Sequence, residues 1–452
     1  MNTTGYSPIT SLHPDCPDWQ RLGPTTVDAG LRAMAEVQQQ QADERDQLWS
    51  KGFTRRRLLA GGMGVGVAAI GSQLVTTRVA YGAGLSTGTL VVVFLRGGMD
   101  GLSMVVPVED QTLLKARPTV AIRQGSLIGF DRGFGLHPSL AALKPLVEAG
   151  RLAAVPGIST PNLTRSHFQA QDCLERGGAS NVGGQAGWLD RLLTVLGPGT
   201  TFRAIGGGTA APRSMLGDNS PVMMRSLKKF AIEGNEQLAG PTRKALEKLY
   251  TGLDHPLSRV ALVALAASDV TGRLAASEAE PKARGYADNA WGQSLAALAS
   301  LIRTGQGVRV ATVDLGGWDM HTQMGTATEG DFMKLTQGLA EGLATFLKDL
   351  GPATDTTTVL VMSEFGRRVE QNASGGTDHG HGGVAMVMGA GVKGGLKGRW
   401  EGLTTLDQGD VPGTNDYRDL LAEVCMKRFG LSEAEIAPVF PGWKPTAVGA
   451  MA

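Results

Sequence analysis

The sequence predicts an α/β protein, a three-layer α/β/α sandwich around a mainly parallel central sheet. Three observations carry that prediction. Apolar, β-branched runs such as Leu90-Val91-Val92-Val93-Phe94-Leu95 and Thr358-Val359-Leu360-Val361-Met362 are hydrophobic at nearly every position, which only a strand covered on both faces requires. These runs alternate with stretches of helical periodicity, the pattern of strands packed under crossover helices. Glycine, at 64 of 452 residues, is roughly twice its usual share without a collagen-like period, as expected of many tight loops on a sheet scaffold.

Taken in order, the first strand spans residues 89–95 and ends in the Gly-rich turn Arg96-Gly97-Gly98-Met99-Asp100-Gly101. Pro138 opens a helix through Leu140, Leu143, Leu146 and Val147, and Gly150 stops it. Leu152-Ala153-Ala154-Val155 is then the next strand, completing a βαβ unit. A further helix begins at Ser166. Residues 241–304 read as a mostly helical insertion with breaks at Pro256 and Pro281. Strands follow at 308–313, at 358–362 after a helix over about 332–350, and at 384–388. The triplet Gly206-Gly207-Gly208 reads as a loop, and no nucleotide-binding glycine fingerprint or internal repeat is present.

Composition narrows the function classes. The net charge is +1, with no basic run outside the leader that could track phosphates, so nucleic acid is not expected as a partner. Three cysteines, Cys16, Cys173 and Cys425, make no closely spaced ligand pair and leave at most one disulfide, Cys173 to Cys425, in the mature chain. Ahead of the first strand, Thr54-Arg55-Arg56-Arg57-Leu58-Leu59 precedes a Gly/Ala-rich apolar segment. That is the pattern of a twin-arginine leader, which engages the twin-arginine translocation machinery and exports proteins already folded. The apolar run is too short and Gly-rich for a stable membrane span. The expected organisation is a disordered extension over 1–53, a signal segment over 54–83 and one α/β domain over 84–452, acting in the periplasm or secreted.

The chemically interesting residues fall beside predicted strand ends, where the carboxyl edge of a parallel sheet forms the usual site. Asp100 follows the first strand, and Asn162-Leu163-Thr164-Arg165-Ser166-His167 the second. Asp314, Asp319 and His321 follow the third, and Ser363-Glu364-Phe365-Gly366-Arg367 the fourth. Asp378-His379-Gly380-His381 precedes the last. Of seven histidines in the chain, four lie in these segments. Carboxylates mixed with imidazoles and no thiolate suit zinc, manganese or iron. Asp319-x-His321 and His379-x-His381 can each present two ligands from an extended loop. A hydroxyl at the helix start, Ser166 or Thr164, would sit among backbone N–H groups that attract an anion, and Arg165 would complement a phosphate or sulfate. The same hydroxyls serve equally as N-caps. His137, ahead of Pro138, reads as structural.

On Leu95-Arg96-Gly97-Gly98-Met99-Asp100-Gly101-Leu102, Arg165-Ser166-His167-Phe168, Gly317-Trp318-Asp319-Met320-His321, Ser363-Glu364-Phe365-Gly366-Arg367 and Asp378-His379-Gly380-His381-Gly382, the chain resembles the exported bacterial family called domain of unknown function 1501. That family is grouped with the alkaline-phosphatase and sulfatase superfamily. The resemblance implies an alkaline-phosphatase-like sandwich with metal at one sheet edge, and a hydroxyl nucleophile attacking a phosphoryl or sulfuryl centre. It implies Ser166 or Thr164 as nucleophile with Arg165 beside it, and Asp100, Asp319, His321, Glu364, His379 and His381 as the metal-ligand candidates. Arg96 holds the place of the superfamily's first aspartate, displacing Asp100, and the spacing from Asp319 to His321 is two rather than four. The implied activity is an exported, metal-dependent hydrolase of small-molecule or polymeric phosphate or sulfate esters. The alternative is a non-catalytic binding or assembly protein that keeps the fold, its site plugged by a side chain such as Phe365 or Arg96.

Overall fold

The structure, a computed structural model, describes residues 88–178, 186–219, 221–228, 230, 236–252 and 256–452; the extension, the leader and Cys16 lie outside them. Fourteen strands occur there in chain order: β1 Thr89–Leu95, β2 Val105–Pro107, β3 Ile128–Gly129, β4 Phe134–Leu136, β5 Leu152–Ser159, β6 Ala204–Gly207, β7 Val222–Met223, β8 Val310–Leu315, β9 Thr357–Met362, β10 Arg367–Gln371, β11 Thr377–His379, β12 Gly383–Gly389, β13 Gly395–Leu396 and β14 Asn415–Asp416. Nine form one sheet in the order β13-β5-β12-β9-β1-β8-β6-β7, with β14 also on β5. β2, β4 and β3 form a small antiparallel sheet, and β10 pairs with β11 as a hairpin.

Side chains alternate across a strand, so the unbroken apolar run of β1 has to feed two cores, and it does. Val91, Val93 and Leu95 pack with Trp291 and Leu295 of helix Ala290–Arg303 and with Leu339, Leu343 and Phe346 of helix Asp331–Asp349. Leu90, Val92 and Phe94 pack on the other face with Leu189 and Leu192 of helix Trp188–Leu196 and with Leu420, Leu421 and Val424 of helix Tyr417–Phe429. Each fully buried Val, Leu or Phe is worth roughly 1.5–3 kcal/mol, so β1, like β9, β5 and β12 in the same sheet, anchors both layers. This is the three-layer α/β/α sandwich with a mixed, mostly parallel sheet.

β1 runs parallel to β8 and β9, and β6 parallel to β8 and β7. The strand at Leu152 joins the same sheet but is not next to β1, because β12 and β9 lie between them. β12 is antiparallel to both neighbours. A parallel return needs a crossover of a dozen or more residues. Between β9 and β12 the chain makes only the β10–β11 hairpin, so it re-enters the sheet at the edge where it left.

Several local expectations shift. The Pro138 helix is a 3-10 turn, Pro138–Leu143, running into a short α-helix, Lys144–Glu148, and Gly150 adopts φ 64° after it. The helical stretch comprises Glu236–Tyr250, with Pro241 inside it, Pro256–Ser277 and Ala290–Arg303. The last of these lies on the sheet as part of a layer. Gly206 and Gly207 belong to strand β6 rather than to a loop; a Cβ at Gly206 would fall 2.3 Å from Met223 of β7. Cys173 and Cys425 are buried free thiols. Among the described residues no helix is long and apolar enough to cross a membrane.

Candidate metal centre

The register of the sheet sets the site. Leu95 pairs with Leu315, and Phe94 with Met362, so β1, β8 and β9 end level, and the loops at 96–100, 316–321 and 363–366 emerge side by side. Their close approach depends on glycine. Gly97, at φ 122°, lies against the Asp319 backbone, where a Cβ would come within 2.5 Å of the nitrogen. At Gly98, φ 66°, a Cβ would meet the Phe365 ring at 2.3 Å. The Arg367 guanidinium, 1% exposed, ties these loops together by donating to Gly98 O at 2.6 Å, Thr377 O at 2.8 Å and Asp319 Oδ1 at 2.6 Å.

Asp319 is the focus. Its Oδ1 lies 3.0 Å from His321 Nε2 and 3.1 Å from His379 Nε2, and its Oδ2 faces His167 Nε2 at 3.4 Å. Ligand atoms of His167, Asp319 and His379 all fall within 4.8 Å of one another. In each histidine the far nitrogen is committed to an acceptor. His167 Nδ1 donates to Glu364 Oε1 at 2.8 Å, His321 Nδ1 to Asp378 Oδ1 at 3.0 Å, and His379 Nδ1 to the Arg165 carbonyl at 2.7 Å. A neutral imidazole has one N–H, so these partners place the proton on Nδ1 and leave the three Nε2 lone pairs converging on one carboxylate. Acceptors of this kind behind the ring are what orients metal-ligating histidines.

That geometry is not self-sufficient. His321 Nε2 and His379 Nε2 stand 3.0 Å apart, and two lone pairs at that distance repel unless a proton or cation joins them. The buried Asp319 Oδ2 has no hydrogen bond. Three carboxylates, Asp319, Glu364 and Asp378, surround the histidines against the single guanidinium of Arg367, leaving two negative charges. The donor set therefore fits a divalent cation. Burial alone would raise Asp319 and Glu364. Around Asp319 the imidazoles of His167, His321 and His379 and the Arg367 guanidinium outweigh it, holding the carboxyl far below the usual carboxylate range, and the hydrogen bonds from His167 Nδ1 and Gln171 bring Glu364 to about 2. The His321 hydrogen bond brings Asp378 down to about 2.

Of the residues singled out by sequence, Asp319, His321 and His379 meet here, and the others are placed differently. Glu364 supports rather than faces the centre: its Oε1 accepts from His167, from Gly97 N at 2.9 Å and from Gln171 Nε2 at 2.8 Å. Asp100 caps the short helix Gly101–Met104 and is paired with Arg117 at 2.8 Å, since a carboxylate displaced four residues from Arg96's place, five past the end of β1, reaches that turn instead. His381 points away, its Nε2 on Thr160 O at 2.9 Å, because β11 ends at His379 and the chain bends before β12 begins at Gly383, so the same-face spacing of an extended strand no longer holds. Arg165 is spent on Asp410, at 3.0 and 2.7 Å. The Thr164 hydroxyl closes the turn, donating to Gln169 Oε1 at 2.7 Å and accepting from Ser166 N. Ser166 is the N-cap residue of helix His167–Arg176, yet its hydroxyl makes no capping bond. Arg96 turns to Glu175, Asp314 and the Phe94 ring. Phe365 lies against His167 and His379, with ring centroids 4.9 and 4.8 Å apart. His167 joins the cluster without a metal-ligand pattern of its own in the sequence; its one signal is its position just inside a helix following a strand end.

A family model described as a protein of unknown function (DUF1501) matches residues 137–433. No curated protein matches the chain. Among solved structures, the chain is similar to a protein in the alkaline phosphatase superfamily from Vibrio parahaemolyticus, at 10% identity over 80% of this chain and 74% of that one, TM-score 0.29. It is similar to a sulfatase from Pseudoalteromonas sp. at 11% identity over 85% and 76%, TM-score 0.37. It is also similar to a phosphonate monoester hydrolase from Silicibacter pomeroyi at 11% over 76% and 74%, TM-score 0.31. Overlap this loose carries no argument about chemistry.

Proposed function

This chain belongs to the DUF1501 family, and from its buried histidine–aspartate cluster we propose that it is an exported, metal-dependent hydrolase of phosphate or sulfate esters. The observation that carries this reading is the convergence of three oriented Nε2 atoms on Asp319, with Oδ2 lacking a hydrogen bond. Asp319, His321, His379 and His167 would hold the ion; zinc, manganese or iron all suit nitrogen and oxygen donors without thiolate. The ion would polarise an ester oxygen and offset charge developing on it.

The chain's own residues do the rest. Glu364, Asp378 and the Arg165 carbonyl keep the imidazoles in one tautomer. Ser166, adjacent to His167 and free of capping duty, offers its hydroxyl as nucleophile. The backbone N–H groups opening helix His167–Arg176 favour an anionic group beside it. The Thr54–Leu59 leader supports export through the twin-arginine machinery to the periplasm.

A second reading is favoured by one observation. Phe365 covers His167 and His379, and His321 and His379 are each only 1% exposed. A binding or assembly component that keeps an occupied but closed centre would look the same. Elemental analysis of the purified mature protein, combined with turnover of aryl phosphates and aryl sulfates, separates the two. The hydrolase predicts about one equivalent of divalent metal and measurable turnover. The double substitution His321→Ala with His379→Ala should remove both, and Ser166→Ala should stop turnover while the metal stays. Stoichiometric metal with no turnover of either ester class would transfer the assignment to the binding protein, and absence of metal would end the metal-centred reading.

A further inference from the structure

Two independent connections lead from Asp410 to His379. Its side chain, 4% exposed, accepts two hydrogen bonds on Oδ2 from Arg165, Nε at 3.0 Å and NH2 at 2.7 Å. The Arg165 carbonyl in turn accepts the Nδ1 proton of His379 at 2.7 Å, and Arg165 lies two residues before His167. The Asp410 backbone forms an antiparallel bridge with Arg368, whose own guanidinium stands 3.7 Å from Oδ1. Arg368 follows Arg367, which is in register with His379 across β10 and β11 and holds Asp319 Oδ1. Asp410 thus sits between the helix-start loop that carries His167 and the hairpin that carries His379.

We propose that Asp410, acting through Arg165, is a positioning residue for the cation site: it fixes the carbonyl that sets the His379 tautomer and the separation of the His167 and His379 segments. The inference rests on the cation site proposed above. The physical basis is the buried carboxylate itself. The 4%-exposed carboxylate holds the Arg165 guanidinium at two points and faces the Arg368 guanidinium at 3.7 Å, so it favours one spacing of the two segments; losing Arg165 would leave the buried carboxylate with only the more distant partner. Groups that orient a metal-ligating histidine from behind typically govern affinity by roughly ten- to a hundredfold.

The test uses the purified full chain stripped of metal and titrated with cobalt(II), read by affinity and by the visible absorption of the bound ion. Asp410→Asn is expected to weaken cobalt binding at least roughly tenfold and to change the absorption band. Arg165→Lys keeps the charge but loses the two-point bond, so it should show a smaller loss in the same direction, and it serves if Asp410→Asn does not fold. Asp349→Asn is the control for general destabilisation, since Asp349 pairs with Arg284 and Tyr286 near the ends of the outer helices; it should lower the melting temperature and leave the cobalt spectrum alone. Wild-type cobalt affinity and spectrum in both Asp410→Asn and Arg165→Lys would overturn the positioning role while leaving the site intact. An equal loss in Asp349→Asn would also overturn it, by showing the effect to be general. If the wild-type chain takes up no cobalt, the functional reading falls and this inference falls with it.

Discussion

The described histidines divide according to what holds their second nitrogen. His167, His321 and His379 have Nδ1 fixed by an acceptor and Nε2 turned toward Asp319. His381, two residues beyond His379, gives Nε2 to a carbonyl and leaves Nδ1 buried without a hydrogen bond. His137, 0% exposed, uses Nδ1 to accept from Ser139 N at 3.1 Å and lies edge-on to Phe332. Burial pushes its pKa down from 6.5 to about 4. Between those values the unfolded chain binds a proton that the folded chain does not, so stability falls as pH drops from about 6.5 to 4. The full shift is worth up to about 3 kcal/mol. His137→Asn keeps a capping acceptor without a titration. Its unfolding free energy should be flatter across that window than the wild type's in urea titrations at stepped pH, and superimposable profiles would refute the assignment. Acid loss below pH 4 belongs to the depressed carboxylates Asp319, Glu364 and Asp378, whose contribution disappears as they protonate. Asp319, His321 and His379 were legible because each lies in a short polar string next to a strong apolar strand. Asp410 was not, because a lone aspartate 245 residues from Arg165 carries no pattern until the fold joins them.

At the scale of elements, the long strands β1, β5, β8, β9 and β12 were readable from their apolar runs, while Gly-rich β6 was not, and their directions were only partly so. β12 and β9 are both apolar and fully buried, and what reverses β12 is the missing crossover. The turn after β1 shows how tightly the strand-end loops are fitted. Gly98 is in the left-handed region, and the Phe365 ring occupies the space a side chain would need. Gly98→Ala should therefore cost about 1–3 kcal/mol from backbone strain and displacement of Phe365. Because Phe365 packs on His167 and His379, the substitution should also disturb the cluster. Equilibrium denaturation measures the first effect, and the chemical shifts of the His167 and His379 rings measure the second. A variant of wild-type stability would mean that the loop moves freely enough to absorb a methyl group, contrary to the packing described.

For the whole molecule, the remaining question is where it works, and the leader bears on that. Export by the twin-arginine route requires the paired arginines, but Arg56-Arg57 overlaps Arg55-Arg56, so a double change leaves an ambiguous signal. Replacing Arg55, Arg56 and Arg57 together with lysine should leave the precursor in the cytoplasm on cell fractionation; processed protein in the periplasm would refute the leader. By itself the sequence determined the layered α/β class, the long apolar strands and the polar strings beside their ends, because apolar periodicity and local turn chemistry act over a few residues. Only the tertiary structure decided which of those polar residues meet. Level strand ends bring Asp319, His321 and His379 together and add His167 from a helix start. Asp100, Arg165 and His381 are drawn into other partnerships, since burial favours pairing of charged and polar groups, and the partners of Arg165 and His381, Asp410 and Thr160, lie more than 200 residues away in the chain.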